Sequence, residues 1–214
     1  MNEPKRILCY GDSNTWGFIP GTQFHRYEPK ERWTTILQKS LGNNFEVIVE
    51  GLNGRTITSE DPRPNMIGRN GSTYLVPCLD SHDPLDLVIV MLGTTELKEM
   101  FHNTPEHVGE TLEKYFVKVI LNKKSQFRDT IPKLCIISPP IVNEKTEFAS
   151  QLFKGAAEKS RKLNMIYKNI AERNKCHFID AKNIDVGTDG IHLTKKGNKE
   201  LAEIILKEIK SILL

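Results

Sequence analysis

A hydroxyl becomes a useful nucleophile at neutral pH only when a base takes its proton, and a histidine oriented by an acid is the usual base. This chain carries those parts at its two ends. Ser13 lies in Gly11-Asp12-Ser13-Asn14-Thr15-Trp16-Gly17, directly after the apolar run Ile7-Leu8-Cys9-Tyr10. If that run is a strand, the serine stands at its carboxyl end, where open parallel sheets bind their ligands. The flanking glycines let the backbone turn tightly and come close to a bound molecule. Far along the chain, Asp189-Gly190-Ile191-His192 places a carboxylate and an imidazole three residues apart on a turn before the last helix. Asp189 would hold the imidazole in the tautomer that leaves one nitrogen free to accept the Ser13 proton. A second reading makes Asp12 or Ser13 a helix cap, and Asp189, His192 and Thr194 helix-entry residues. Capping and catalysis are compatible, so both stand. His25, His82, His102, His107 and His177 lie next to no acid in a comparable turn and read as surface or loop residues.

These side chains meet only if the elements between them bring them to one edge. Residues 5–10 read as a short buried strand, and 45–49 as a second one that delivers Gly54 to the same edge as Ser13. Between them, Trp33, Ile36, Leu37 and Leu41 recur at helical spacing across 29–41, with Gly42 as the stop. The stretch 53–71 holds Pro62, Pro64, Gly68 and Gly71 after Gly54 and no sustained period, which marks a long functional or mobile loop. Residues 74–79 read as one helical turn or two. The continuous apolar run 86–92 is a central strand, covered on both faces. Thr104-Pro105-Glu106 opens a long amphipathic helix with Val108, Leu112, Tyr115, Phe116, Val119 and Ile120 on one face. A fourth strand follows at 134–138, a mostly helical stretch at 148–174, and a fifth strand at 177–179. The closing helix spans 195–214 with Leu201, Ile204, Ile205, Ile209 and Ile212 inward. Strands alternating with helices predict a parallel sheet with helices on both faces.

Composition narrows the function class. The 214 residues favour one domain, and 38% apolar with 27% charged residues describes a soluble globular chain without a run long enough to span a bilayer. The net charge of +3 comes from 30 basic and 27 acidic side chains that are intermixed, which argues against nucleic-acid or membrane partners. The start, Met1-Asn2-Glu3-Pro4-Lys5-Arg6, has no apolar signal region, so a cytoplasmic location is the default expectation. Cys9, Cys78, Cys135 and Cys176 lack C-x-x-C spacing and read as core residues or free thiols. No metal-binding pattern, P-loop or dinucleotide fingerprint is present in the sequence, so neither metal nor cofactor is expected.

Four blocks in order, namely Gly11-Asp12-Ser13, Gly51-Leu52-Asn53-Gly54-Arg55-Thr56, Leu92-Gly93-Thr94-Thr95-Glu96 and Asp189-Gly190-Ile191-His192, resemble those of the SGNH, or GDSL, hydrolase superfamily. The match looks closest to its arylesterase/acyltransferase branch and covers nearly the whole chain. The resemblance implies Ser13, Asp189 and His192 as the catalytic triad. It implies an oxyanion hole from the backbone N–H groups of Ser13 and Gly54 and a side-chain amide in the third block. There the family pattern has Asn-Asp and this chain has Thr95-Glu96. A threonine hydroxyl has one hydrogen to donate where an amide has two. Loss of one oxyanion donor costs roughly 3 to 4 kcal/mol of transition-state stabilisation. Three accounts remain open: Thr95 donates itself or through a water, the enzyme is slow, or the chain is a binding relic. Asp12, Trp16, Asn53, Lys98, Phe148 and Phe153 are candidate substrate-binding residues, the two phenylalanines as an apolar wall.

Together these observations predict a single SGNH-hydrolase-like domain across 1–214. Its expected fold is a flavodoxin-like three-layer α/β/α sandwich on a five-stranded parallel sheet of order 2-1-3-4-5. The expected activity is cleavage of short-chain, acetyl-like esters through an acyl-serine, with possible acyl transfer to alcohols and a possible homo-oligomer. A carbohydrate O-deacetylase with the same triad and a weakly active or non-catalytic ligand-binding relative are the alternatives.

Overall fold

Alternation along the strands decides which helix packs where. In the computed structural model, which describes residues 3–213, five strands form one parallel sheet. They are β1 (Lys5–Gly11), β2 (Phe45–Gly51), β3 (Leu87–Met91), β4 (Lys133–Ile137) and β5 (His177–Ile179), in the order β2-β1-β3-β4-β5. The helices are α1 (Ser13–Trp16), α2 (Trp33–Leu41), α3 (Gly71–Ser81), α4 (Pro105–Leu112), α5 (Lys118–Leu121), α6 (Glu147–Leu152), α7 (Ala156–Asn174) and α8 (Lys195–Leu213). Successive side chains of a strand point to opposite faces. Ile7 and Cys9 therefore pack with Trp33 and Leu37 of α2 and with Leu201, Ile205 and Ile209 of α8. Leu8 and Tyr10 pack on the other side with Leu75 of α3, Leu112 of α4 and Leu163 and Tyr167 of α7. β3 is buried along its whole length, as its unbroken apolar run requires. This is the expected α/β architecture and strand order.

Several boundaries differ from the sequence reading, each for a local reason. The expected one or two turns near 74–79 are an eleven-residue helix, α3, whose first residue is Gly71. Asn70 caps it by accepting the Ser72 N–H, and Pro77 sits inside it. Both Gly71 and Pro77 count as breakers in a sequence, yet the cap and the burial of Leu75, Cys78 and Leu79 hold the helix together. The predicted helix at 29–41 begins only at Trp33, because Pro29–Glu31 form a separate short turn and Arg32 is extended. The long helix after Thr104 is interrupted by a π turn, Glu113–Val117, between α4 and α5. That wider turn shifts the helical register. Phe116 and Val117 go inward, whereas Tyr115, expected on the buried face, is exposed. The stretch 148–174 is likewise two helices, broken at Gly155 in the left-handed conformation (φ 77°). On α8, Leu201, Ile205, Ile209 and Ile212 form the buried stripe, while Ile204 lies on its flank and is exposed. The predicted last residue of that helix, Leu214, lies outside the described residues.

The sheet places the Ser13 turn by close approach. Gly11 of β1 pairs in register with Gly51 of β2, and α1 lies directly against that end. A Cβ on Gly51 would come within 2.3 Å of the Trp16 nitrogen and 2.7 Å of the Thr15 carbonyl carbon. Gly17 ends α1 in the left-handed conformation (φ 92°) and donates its N–H to the Ser13 carbonyl. Overpacking against backbone cannot be relieved by a rotamer change. Gly51→Ala is expected to cost about 1–3 kcal/mol in urea denaturation; an unchanged midpoint would mean that α1 can move off β2.

Candidate active site

Ser13, His192 and Asp189 come from the end of β1 and from the loop between β5 and α8, and the fold brings them together. The Ser13 Oγ lies 2.9 Å from His192 Nε2, and His192 Nδ1 lies 2.7 Å from Asp189 Oδ2. Burial pushes the Asp189 carboxyl up, but the His192 ring and the N–H groups of His192 and Ile191 outweigh it and hold the group at about 2. An ionised carboxylate can only accept. The His192 Nδ1 must therefore carry a proton toward Asp189, which leaves Nε2 of a neutral ring to accept from the Ser13 hydroxyl.

The carboxylate is saturated. Asp189 Oδ1 accepts the N–H groups of Ile191 (3.1 Å) and His192 (3.0 Å). Its Oδ2 accepts His192 Nδ1 and the N–H of Gly21 at 3.1 Å. Two residues with no role assigned from the sequence complete the support of the imidazole. Asn14 grips the backbone on either side of it, donating from Nδ2 to the Ile191 carbonyl (3.1 Å) and accepting the Leu193 N–H at Oδ1 (2.9 Å). Phe18 stacks on the ring, centroids 4.2 Å apart and planes inclined by 21°. Neither role has a sequence signal, since each depends on a contact across the whole fold.

A cavity of about 300 Å³ opens beside the hydroxyl. Of the predicted pocket residues, Asn53, Gly54, Thr95, Lys98, Phe148 and Phe153 line it with Ser13 and His192. Asp12 and Trp16 do not line this cavity. Asp12 is 2% exposed and caps α1 by accepting the Asn14 N–H at 2.9 Å. Burial pushes its carboxyl up to about 6, moderated by that N–H and by the nearby Arg55 guanidinium. Trp16 is covered by the Arg26 guanidinium, 4.8 Å from the ring centroid. Among the described residues, the N–H groups of Ser13 and Gly54 and the hydroxyl of Thr95 donate to nothing within the protein. Three unengaged donors thus belong to residues that border one cavity.

Glu96 couples two of these. Its Oε1 accepts the N–H groups of Ile57 and Thr58, on the segment that follows Gly54, while its backbone continues from Thr95. Asn103 ties the same parts together, donating to the Glu96 carbonyl (3.2 Å) and the Ser59 hydroxyl (3.1 Å). The second carboxylate oxygen of Glu96 is sealed from solvent without a partner. Glu96, which stands where the family pattern has Asp, is therefore a buried tie.

One group of metal-ligand type occurs among the described residues: the donor atoms of Glu50, Cys78 and His82 lie within 4.8 Å of one another. None of the three lines the Ser13 cavity. Glu50 Oε1 is already 2.8 Å from His82 Nε2, so this histidine, read from the sequence as a surface or loop residue, has an acid partner from another element. Arg55 lies 4.0 Å from the other Glu50 oxygen, and burial pushes the Cys78 thiol up to about 12. A cation there would have to displace a satisfied network. All four cysteines are free thiols.

Fold and site together are those of an ester hydrolase built on a three-layer α/β sheet. The chain belongs to the GDSL-like lipase/acylhydrolase family, whose model matches residues 9–200. It is similar to the native aryl esterase of M. smegmatis, with 38% identity over 98% of this chain and 100% of that one and a TM-score of 0.89. A carbohydrate acetylesterase from Sinorhizobium meliloti gives 35% identity over the same shares, also with a TM-score of 0.89. A lipase/acylhydrolase from Enterococcus faecalis, at 17% identity and a TM-score of 0.71, shares the fold. No curated protein matches the chain significantly. The family and these relatives make the protein a carboxylic ester hydrolase.

Burial raises the Glu96 carboxyl to about 7, against the lowering effect of the Ile57, Thr58 and Ser59 N–H groups. An unfolded glutamate loses its proton near pH ~4.3. Between those values the folded state binds more protons, so this group makes stability fall as pH rises. Glu96→Gln keeps an acceptor oxygen and removes the titration. Urea midpoints measured from about pH 5 to 7 should decline in the parent and decline less in the variant; equal slopes would show that Glu96 is not the titrating group.

Proposed function

We propose that the protein hydrolyses short-chain, acetyl-like carboxylic esters through an acyl-serine intermediate on Ser13. The observation that carries this reading is the continuous relay from Ser13 Oγ through His192 to Asp189, at 2.9 and 2.7 Å, on the wall of a cavity. Ser13 Oγ attacks the ester carbonyl carbon as its proton passes to His192 Nε2. The carbonyl oxygen becomes an oxyanion that the N–H groups of Ser13 and Gly54 and the Thr95 hydroxyl are available to meet. Collapse of the tetrahedral adduct expels the alkoxide, which takes the proton from His192. Water then repeats the sequence on the acyl-serine and releases the acid. An alcohol in place of water gives acyl transfer.

Size and lining favour a small acyl group beside an apolar partner. At about 300 Å³ the cavity is at the low end for small-molecule sites. Met66, Phe148, Leu152, Phe153 and Ile191 supply its apolar wall. That wall favours an aryl or alkyl ester over an acetylated sugar, which needs polar groups along its length. The carbohydrate acetylesterase among the relatives keeps the sugar reading as the second one. Initial rates on phenyl acetate and on acetylated xylose distinguish them.

Ser13→Ala is expected to abolish hydrolysis of phenyl acetate, and Asp189→Asn to lower kcat by about 10⁴ through the wrong imidazole tautomer. Full activity in Ser13→Ala would overturn the mechanism. An amide at the third block restores a longer donor, so Thr95→Asn is expected to raise kcat about tenfold or more. Unchanged or lower activity there would mean that the Thr95 hydroxyl already fills the position.

A further inference from the structure

The charges around the cavity do not balance. Lys98 and Arg63 both line it, and no carboxylate does. The acid nearest to them, Asp61, has a wholly buried side chain and is taken by Arg63. Asp61 Oδ1 accepts Arg63 Nε at 2.8 Å and the Arg63 N–H at 3.2 Å, and Asp61 Oδ2 accepts Nη2 at 2.6 Å. That bidentate pair leaves Lys98 Nζ a long ion pair with Asp61 Oδ2 at 3.8 Å, beyond hydrogen-bond reach and shared with Arg63. Among the described residues the ammonium donates to nothing, although its side chain is only 13% exposed.

Other charges near Lys98 do not resolve this. Glu96 and Asp12 act on it through space. The first turns its bonded oxygen to Ile57 and Thr58, and the second turns to Asn14. The Phe101 ring centroid is 6.0 Å from Nζ, the outer limit for a cation–π contact. The side chain is largely covered and its ammonium lacks a hydrogen-bond acceptor, which a ligand carboxylate would supply. Lys98 lines the cavity that holds Ser13.

We infer that Lys98 recognises a carboxylate on the alcohol half of the ester, so that the preferred substrates are short-chain acyl esters of hydroxy acids. The inference rests on the proposed acyl-serine reading. A small acyl group leaves the remainder of the cavity, including the Lys98 wall, to the alcohol. Arg63 lines an adjoining cavity of about 260 Å³ together with Lys98, and its two side-chain bonds to Asp61 leave that carboxylate only a long ion pair with the lysine. The apolar wall of Phe148, Phe153 and Leu152 would carry the body of an aromatic or aliphatic hydroxy acid, with its carboxylate on Lys98.

The test compares kcat/KM for para-acetoxybenzoate and for its neutral methyl ester in the parent, Lys98→Met and Lys98→Arg. Taking the acid-to-neutral ratio within each protein, and then between proteins, cancels the intrinsic reactivities of the two esters. The ratio is expected to fall tenfold or more in Lys98→Met and to be largely restored in Lys98→Arg. An unchanged ratio in Lys98→Met would overturn the inference while leaving the hydrolase reading intact. Failure of the parent to hydrolyse either ester would overturn that reading and the inference with it. Should the variants not fold, inhibition of the parent decides the matter. The acid para-hydroxybenzoate is expected to inhibit at least tenfold more tightly than the neutral para-hydroxybenzamide, and equal inhibition would overturn the assignment.

Discussion

The site depends on one carboxylate whose acceptor positions are all filled. Asp189 receives two backbone N–H groups of its own turn, the N–H of Gly21 and the imidazole Nδ1 of His192. Each bond lowers the energy of the ionised form, and together they overcome burial. Because the carboxylate stays ionised it has no proton to give, and the tautomer of His192 follows. The direction of the Ser13 hydroxyl follows in turn. Removing the carboxylate would leave the imidazole supported by stacking on Phe18, which sets its plane but not which nitrogen bears the proton.

The sheet supplies what that turn cannot, namely a fixed distance between parts far apart in sequence. β1 leads to Ser13, β2 to Gly54 and β3 to Thr95. The strand order reverses between β1 and β3, which opens a crevice there. Glu96 then ties the segment after β2 to the turn after β3, so the Gly54 and Thr95 donors are not independent. In the proposed mechanism the third block therefore has two tasks. Thr95 presents a shorter donor than the family pattern, and Glu96 fixes where the neighbouring donor lies. Lys98, three residues further, extends the same turn toward the substrate.

Much of this was legible in the residue string because it rests on local rules. Alternating β and α patterns gave the layers, and the run before Ser13 placed the serine at a strand end. The carboxylate and imidazole in Asp189-Gly190-Ile191-His192 share a turn, so their proximity follows from spacing alone. What was not legible depends on contacts over long separations. Asn14 clamps a loop 177 residues away. Nothing local in the sequence marks Glu96 as buried, since the groups that hold it come from the loop after β2. The Glu50 partner of His82 comes from a different element, so no local pattern shows it. The α3 helix hid behind Gly71 and Pro77, whose helix-breaking tendency is outweighed by an Asn70 cap and core burial. The π turn at Glu113–Val117 is a matter of backbone register, which an i, i+3, i+4 pattern cannot resolve. Lys98 was legible as a pocket residue, but its lack of an acceptor emerges only once Arg63 is seen to occupy Asp61.

The central claim is that a covalent bond forms between the serine at the end of β1 and the acyl group. Rapid acid quench of the protein during turnover of an aryl acetate, followed by mass spectrometry of its peptides, reads that bond directly. An acetyl group is expected on the peptide carrying Ser13, appearing before steady state and decaying when the ester is exhausted. Sustained hydrolysis with that peptide unmodified at every quench time, or with the acetyl group on another residue, would contradict the claim.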